Sequence, residues 1–305
     1  MSELNVRLKN LEFKNPLLPA SGTFGFGKEY SSFFDLNILG GIVTKSITLF
    51  PKSGNSQPRI YETYGGVLNS IGLENPGISE FVAEELPLIL DINTVKIVSI
   101  AGFKAEDYIE LSSILENVSI DAIEVNLSCP NVESGCIHFG EDEKALGAIV
   151  REMRSETRKF LIVKLSNGSS NIVNLARRAS EAGADAICIG NTVRGMAIDV
   201  DRKAPVFKNV VAGLSGPAIK PIALRAVWEV YEVLRIPIIG CGGIMNFKDV
   251  LEFIFAGASL VQIGTANFLS PLTIPTIVSD LTCYCEENNV RISDLIGIAH
   301  KERKS

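Results

Sequence analysis

The sequence predicts an α/β fold: a single (β/α)8 barrel (a TIM barrel) with long lid insertions on the face formed by the carboxyl ends of its strands. Eight short apolar runs recur along the 305-residue chain, and stretches of helical period lie between many of them. Nearly continuous apolar runs are typical of parallel strands covered on both faces, and their alternation with helices is typical of this architecture. No linker-like segment divides the chain, so residues 1–305 are predicted to form one domain.

The eight predicted strands are residues 16–22, 41–46, 95–101, 122–127, 160–165, 186–192, 236–242 and 260–265. Helices are predicted at residues 105–116, 143–159, 171–182 and 220–234. The connections 47–94, 128–159 and 193–235 are too long for a plain helix, so we interpret them as lids. An open doubly wound sheet is the alternative, but its usual Gly-x-Gly-x-x-Gly pattern after an early strand is missing.

Composition narrows the possible functions. The chain has 29 Lys plus Arg against 35 Asp plus Glu, a net charge of −6, which is a poor basis for binding nucleic acid. No apolar stretch reaches the roughly 20 residues needed to cross a bilayer, and no signal peptide is visible, so a cytoplasmic location is predicted. The six cysteines form no Cys-x-x-Cys pair and only two histidines exist, so no metal site is predicted.

Chemistry-bearing residues follow the predicted strands. The segment Asn126-Leu-Ser-Cys129-Pro-Asn131 places a thiol between two carboxamides just after a buried strand. Alternation along the strand at 160–165 directs Lys164 into the barrel, where an unpaired ammonium is costly. Lys164 therefore requires an anionic or strongly accepting ligand, or alternatively an internal ion pair.

Glycine-rich ends close the last two predicted strands, at Gly242-Gly243 and Gly264-Thr265, and the loop 213–217 adds Gly216. In this fold such loops are the usual place for a phosphate, because backbone N–H groups converge there. A phosphorylated cofactor with an electron-accepting ring, such as FMN, fits these parts. Lys164 would then stabilise the negative charge that reduction leaves near the flavin N1 and O2 atoms.

These segments resemble the class 1 dihydroorotate dehydrogenases, FMN enzymes of pyrimidine synthesis. The resemblance covers nearly the whole chain and is strongest in residues 68–77, 126–131 and 213–221. The Gly22-Thr-Phe-Gly-Phe-Gly27 stretch is similar to the B type, the catalytic subunit of a two-subunit enzyme. The partner subunit of that type carries FAD and a [2Fe-2S] cluster and passes electrons to NAD⁺, so a homodimer and a heterotetramer with such a partner are implied.

The resemblance also implies roles for residues. The reaction would be oxidation of (S)-dihydroorotate to orotate on the route to UMP, with Cys129 as the base at C5 while hydride leaves C6 for flavin N5. The substrate would be held by Lys45, Asn69, Ser70, Ile71, Gly72, Leu73, Asn126, Asn131, Asn191 and Thr192. FMN would be held by Ser21, Lys45, Ser46, Asn126, Lys164, Gly190, Gly216, Gly242, Gly243, Gly264 and Thr265.

Four other readings of the sequence remain open. The nearest is a fumarate-using homodimer of the A type. A Schiff-base aldolase on the same barrel would use Lys164 as its nucleophile. A flavin-binding tRNA-reducing enzyme would need RNA affinity, which the acidic charge balance disfavours. The last is a barrel that only binds or scaffolds.

Overall fold

Eight parallel strands form a ring in which neighbours in space are also neighbours in chain order. The computed structural model describes residues 3–127 and 139–302. Its strands are β1 Val6–Leu8, β2 Leu11–Phe13, β3 Leu17–Pro19, β4 Gly41–Val43, β5 Ile60–Thr63, β6 Gly66–Asn69, β7 Val95–Ile100, β8 Ala122–Asn126, β9 Phe160–Leu165, β10 Ala186–Ile189, β11 Val193–Gly195, β12 Ile198–Asp199, β13 Ala204–Pro205, β14 Ala212–Ser215, β15 Ile238–Cys241 and β16 Leu260–Ile263.

The ring runs β3, β4, β7, β8, β9, β10, β15 and β16, and β16 pairs again with β3. Between β3 and β4 the backbone N–H of Gly40 donates to the Leu17 carbonyl at 3.1 Å, which joins the two ends of the sheet. Each of the eight strands predicted from the apolar runs is present. The predicted (β/α)8 barrel is therefore confirmed, and the open sheet is not what the chain forms.

Helices cover the outside of the ring. They are α1 Ile78–Glu80, α2 Pro87–Leu90, α3 Ala105–Glu116, α4 Glu143–Glu156, α5 Ile172–Glu181, α6 Lys220–Val233, α7 Phe247–Phe255, α8 Ala266–Leu269, α9 Thr273–Asn288 and α10 Ile298–Glu302. The helix predicted at residues 143–159 ends earlier, because Thr157 is extended and Arg154 donates to its carbonyl at 3.1 Å. Across residues 3–127 and 139–302, no helix combines the length and apolar character that crossing a membrane requires.

Strand register decides which side chains enter the barrel. Ser99 lies beside Glu124, Asn126 beside Lys164, and Lys164 beside Cys188. Neighbours at one register in a parallel sheet point to the same face, so the side chains of these residues share the barrel interior. Lys164 was predicted to point into the barrel, and the residue is indeed buried, with only 4% of its surface exposed.

In β10 the side chain that enters the barrel is Cys188. Cys188 faces inward with Lys164, so Ile187 and Ile189 face the helices. The strand predicted to continue to residue 192 ends at Ile189, because Gly190 adopts a φ of 136°, which interrupts the extended backbone. Residues beyond this break no longer follow the period of two.

Two of the predicted lids meet in one antiparallel sheet, in the order β11-β14-β6-β5. β5 and β6 belong to the connection 47–94, while β11 and β14 belong to the connection 193–235. They are joined where β6 pairs with β14, and the Asn69 side chain also donates to the Gly213 carbonyl at 3.2 Å. The third predicted lid, 128–159, is described only from residue 139 onward.

Asn75 holds the first lid in shape. Its buried carboxamide oxygen accepts from the backbone N–H groups of Thr48 at 3.1 Å and Gly77 at 2.9 Å. Its amide group donates to the Leu73 carbonyl at 2.7 Å and to the Thr48 hydroxyl at 2.8 Å. One side chain thus ties together both ends of the segment that runs from residue 48 to residue 77.

Replacing Asn75 with alanine should loosen this lid. We expect the free energy of unfolding to fall by about 3 kcal/mol, because several buried groups lose their partner at roughly 1 kcal/mol each. Chemical denaturation measures this loss, and amide hydrogen exchange should rise within residues 48–77. The control is Asn117→Ala, since that exposed side chain makes one hydrogen bond of 3.4 Å. Equal stability of the two variants would contradict the assigned role.

Candidate functional site

A pocket opens at the carboxyl ends of the barrel strands. Most of the predicted site residues line it, on all sides: Ser21, Lys45, Ser46, Asn69, Ile71, Gly72, Leu73, Asn126, Lys164, Gly190, Asn191, Thr192, Gly216, Gly242, Gly243, Gly264 and Thr265. Asn191 reaches the pocket although Ile187 and Ile189 face outward, because Gly190 turns the chain between them. Residues far apart in the sequence are therefore brought to one cavity, as the barrel prediction required.

Ser70 is the exception among the described residues. Ser70 is buried and does not line the pocket, and its hydroxyl accepts a hydrogen bond from the Asn55 side chain at 3.0 Å. It follows Asn69, the last residue of β6, and its backbone N–H donates to the Arg59 carbonyl at 2.8 Å. The Ser70 side chain fixes the lid behind the pocket wall, and the substrate-binding role of Ser70 stays a prediction.

Two predicted residues, Cys129 and Asn131, lie outside the described residues. The last described position before them is Leu127, which is buried directly after β8. The base role of Cys129 and the substrate role of Asn131 stay predictions.

Below the pocket lies a buried charge pair. The Lys164 ammonium is 3.6 Å from a carboxylate oxygen of Glu124, whose residue is fully buried. Gln262 bridges the two groups: its carbonyl oxygen accepts from Lys164 at 2.7 Å, and its amide group donates to Glu124. The Ser99 hydroxyl donates to Glu124 at 3.1 Å, and Lys164 also donates to Ser21 at 3.4 Å.

These contacts settle the charge state of Lys164. Burial is the largest single influence and opposes the ammonium, but the facing Glu124 carboxylate together with smaller contributions from Cys188 and Cys241 outweighs it, and the pKa of Lys164 is raised above its ordinary value. Lys164 therefore stays protonated through the neutral range. The internal ion pair that was the alternative for this lysine is present, and Lys164 nonetheless lines the pocket.

A chain of polar side chains connects this pair to the carboxamides of the pocket. The Ser99 and Ser46 hydroxyls are 2.9 Å apart, and the Asn126 amide group donates to Ser46 at 3.3 Å. The Asn191 side-chain amide donates in turn to the side-chain oxygen of Asn126 at 3.3 Å. The carboxamide planes that face a ligand are thus held in orientation by the barrel interior.

The opposite side of the pocket is a glycine-rich wall. Gly243 adopts a φ of 75°, and a Cβ there would lie 2.6 Å from Lys220 Cβ at the start of α6. Gly264 differs: its φ is not in the left-handed region, and the nearest atom to a Cβ would be Ala20 Cβ at 3.6 Å. Neither the backbone nor the packing around Gly264 requires glycine. An open surface of this kind suits a ligand that approaches the backbone closely, such as a phosphate.

Comparison with known proteins identifies the family of the chain. A family model described as dihydroorotate dehydrogenase matches residues 3–284. The chain belongs to the dihydroorotate dehydrogenase family.

Relatives are similar over nearly their whole length. A protein of Geotalea uraniireducens (strain Rf4) is 47% identical over 297 residues, which is 97% of each chain. Proteins of Thermoanaerobacter pseudethanolicus and Caldicellulosiruptor saccharolyticus are each 48% identical over 295 residues, 96% of this chain and 98% of theirs. All three are named dihydroorotate dehydrogenase B (NAD(+)), catalytic subunit. The resemblance to the B type of class 1 is thereby confirmed.

Within this family member, sequence reasoning missed the partners of Lys164. Glu124 and Gln262 each lie among apolar residues in a strand that is buried throughout. A lone charged or amide residue in such a strand was the available signal, because buried polar groups need partners. The pocket also includes Met245 and Phe268, which lie outside the motifs, and Glu74, which lies within residues 68–77 but was given no role.

Four other cysteines are described, and none of them was predicted to act as a base. Cys188, Cys241 and Cys285 are buried and Cys283 is exposed, and none of these four is in a disulfide. Burial raises the pKa of the Cys188 and Cys241 thiols, which keeps them neutral beside Lys164. Cys241 lines the pocket as a neutral group.

Proposed function

We propose that this chain is the catalytic subunit of an NAD⁺-linked dihydroorotate dehydrogenase, which oxidises (S)-dihydroorotate to orotate in pyrimidine synthesis. The observation that carries the proposal is one pocket, in a chain of this family, that joins a protonated lysine, oriented carboxamides and an open glycine wall. The family match and the names of the relatives support the same activity.

FMN fits the residues present. The open surface at Gly264 and the turn at Gly242 and Gly243 suit its phosphate, with Gly216 and Thr265 beside them. Ser21, Lys45, Ser46, Asn126, Lys164 and Gly190 would hold the rest of the molecule. When bound, FMN supplies a ring that accepts a hydride.

The chain's own residues would perform binding and proton transfer. Asn126 and Asn191, oriented by hydrogen bonds from the barrel interior, would hold the planar substrate together with Asn69, Asn131 and Thr192. Lys45 and the backbone of Ile71, Gly72 and Leu73 would complete the contacts to substrate. Cys129, three residues beyond the end of β8, would take the proton from C5.

The aldolase alternative is weakened by the state of Lys164. A Schiff-base lysine attacks as a neutral amine, and such amines reach that state through a lowered pKa. The pKa of Lys164 is instead raised by Glu124, and its ammonium donates to Gln262 and Ser21. Its surroundings suit a permanent cation better than a nucleophile.

The electron acceptor belongs to the proposal as well. The relatives' names join NAD(+) with the words catalytic subunit, which favours the B type over a fumarate-using A type. We expect a homodimer of this chain, assembled into a heterotetramer with a subunit that carries FAD and a [2Fe-2S] cluster.

Gly264→Ala should separate folding from cofactor binding. An added methyl group meets no atom closer than 3.6 Å, so the free energy of unfolding should change by less than about 1 kcal/mol. FMN affinity should fall at least about tenfold, or about 1.4 kcal/mol, because the methyl group occupies the cradle. Fluorescence titration of the apoprotein with FMN measures this. Gly168→Ala, at an exposed glycine outside the pocket, is the control, and equal affinity of both variants would refute the cradle.

Cys129→Ala should abolish dihydroorotate oxidation while FMN stays bound. We expect a loss of roughly 10²–10⁴-fold in the rate of flavin bleaching by dihydroorotate, the usual contribution of a positioned base. Stopped-flow absorbance records the rate, and the flavin spectrum records cofactor content. Cys283→Ala removes an exposed thiol from α9 and should react like the wild type. Loss of flavin from Cys129→Ala would show a structural role instead.

An acceptor assay on the purified chain tests the partner. With dihydroorotate, the chain alone should reduce an artificial dye but not NAD⁺, and addition of the FAD and iron–sulfur subunit should restore NAD⁺ reduction. NAD⁺ reduction by the chain alone would overturn the B-type assignment. Rapid turnover with fumarate would favour the A type.

A further inference from the structure

Glu124 is a charged residue at a place where the barrel could hold an apolar one. It is fully buried in β8, and it does not line the pocket. Its register neighbour on β9 is Ile162, an apolar residue. Taking a carboxylate out of water costs several kcal/mol, and replacement of buried ion pairs by apolar residues is often neutral or stabilising. Stability alone is therefore a weak reason for Glu124.

The pair is arranged with a direction. Lys164 lines the pocket, while Glu124 lies behind it and has no pocket surface. The ammonium and the carboxylate, 3.6 Å apart, thus form a dipole whose positive end faces the ligand. A ligand in the pocket experiences the lysine's charge reduced by the carboxylate behind it, because both act through the same dry interior.

Gln262 locks this arrangement. Its carbonyl oxygen accepts from Lys164 at 2.7 Å while its amide group donates to Glu124. The reverse orientation of the amide would place N–H groups against the ammonium and oxygen against the carboxylate, so only one orientation satisfies both charges. Ser99 holds the other carboxylate oxygen at 3.1 Å. The Glu124 side chain is consequently fixed at a set distance from Lys164.

We propose that Glu124 is a positioning residue that sets the reduction potential of the flavin by fixing Lys164 and partly neutralising its charge. The inference rests on the proposed function, since it needs FMN in the pocket. Two-electron reduction adds negative charge to the ring, and a cation beside the ring favours it. Glu124 weakens that cation, so the carboxylate keeps the potential lower than Lys164 alone would make it.

The decisive variant is Glu124→Gln, which keeps the size of the side chain and removes its charge. At equilibrium with a reference dye, the ratio of reduced to oxidised FMN should rise about tenfold, a positive shift of about 30 mV for a two-electron couple. Glu110→Gln removes a charge of the same sign from the exposed face of α3 and should leave the potential unchanged.

A double-mutant cycle separates the route of the effect. The carboxylate acts on the reduced ring directly as well as through Lys164, so the shift caused by Glu124→Gln should be smaller, but not absent, in a Lys164→Met background. Should Glu124→Gln fail to fold, Glu124→Asp retains the charge but withdraws it from Lys164, and a smaller positive shift is expected.

The outcomes distinguish the two levels of the proposal. A wild-type chain that binds no FMN defeats the proposed function itself. If the folded Glu124 variants bind FMN and the reduction potential of the flavin is unchanged, only the role of Glu124 is overturned. A shift of undiminished size in the Lys164→Met background overturns the action through Lys164.

Discussion

A pair of opposite charges inside a dry barrel is the interaction on which the site depends. Lys164 and Glu124 come from adjacent strands, and their partners Ser99 and Gln262 come from the strands β7 and β16. Such a pair is tolerated only when its remaining hydrogen-bonding positions are filled and water is excluded. Both conditions follow from the closed ring, which brings these four side chains together in the barrel interior at the floor of the pocket.

The same ring divides the pocket into two chemically different sides. β8 and the turn after β10 supply the carboxamides of Asn126 and Asn191, which suit a flat polar molecule. β15, β16 and the loop before α6 supply the glycine wall, which suits an anion at the backbone. Lys164 lies between them on β9. This division would give the proposed phosphorylated cofactor and the small planar substrate separate contacts within one cavity.

Sequence patterns predicted much of this arrangement, for physical reasons that are specific to the fold. Strands covered on both faces need apolar runs, so all eight barrel strands could be found, and alternation alone directed Lys164 inward. The partners of Lys164 could not be predicted in this way, because they depend on how the strands pair around the ring. Glu124 and Gln262 meet Lys164 only because β8, β9 and β16 surround one interior, which no local pattern encodes.

Two predicted site residues next to strand ends show where local sequence patterns give the least information. Ser70 was grouped with Asn69 by motif, but the chain beyond β6 turns that hydroxyl toward Asn55. Asn191 lies two residues after Ile189, which faces the helices, and it reaches the pocket because Gly190 breaks the strand. In both cases the end of a strand, which is the least regular part of a sheet, decided the outcome. Cys129 and Asn131 remain assigned by motif alone.

The pairing of β6 with β14 has a consequence for how the protein matures. Asn69 and Gly213 are separated by 144 positions, so the roof of the pocket is a contact of high sequence separation. Such contacts form late, because closing a long loop loses much chain entropy before any bond compensates it. During synthesis, a nascent chain that has not yet emerged as far as β14 lacks the roof. Cofactor loading would therefore follow, rather than guide, assembly of most of the ring.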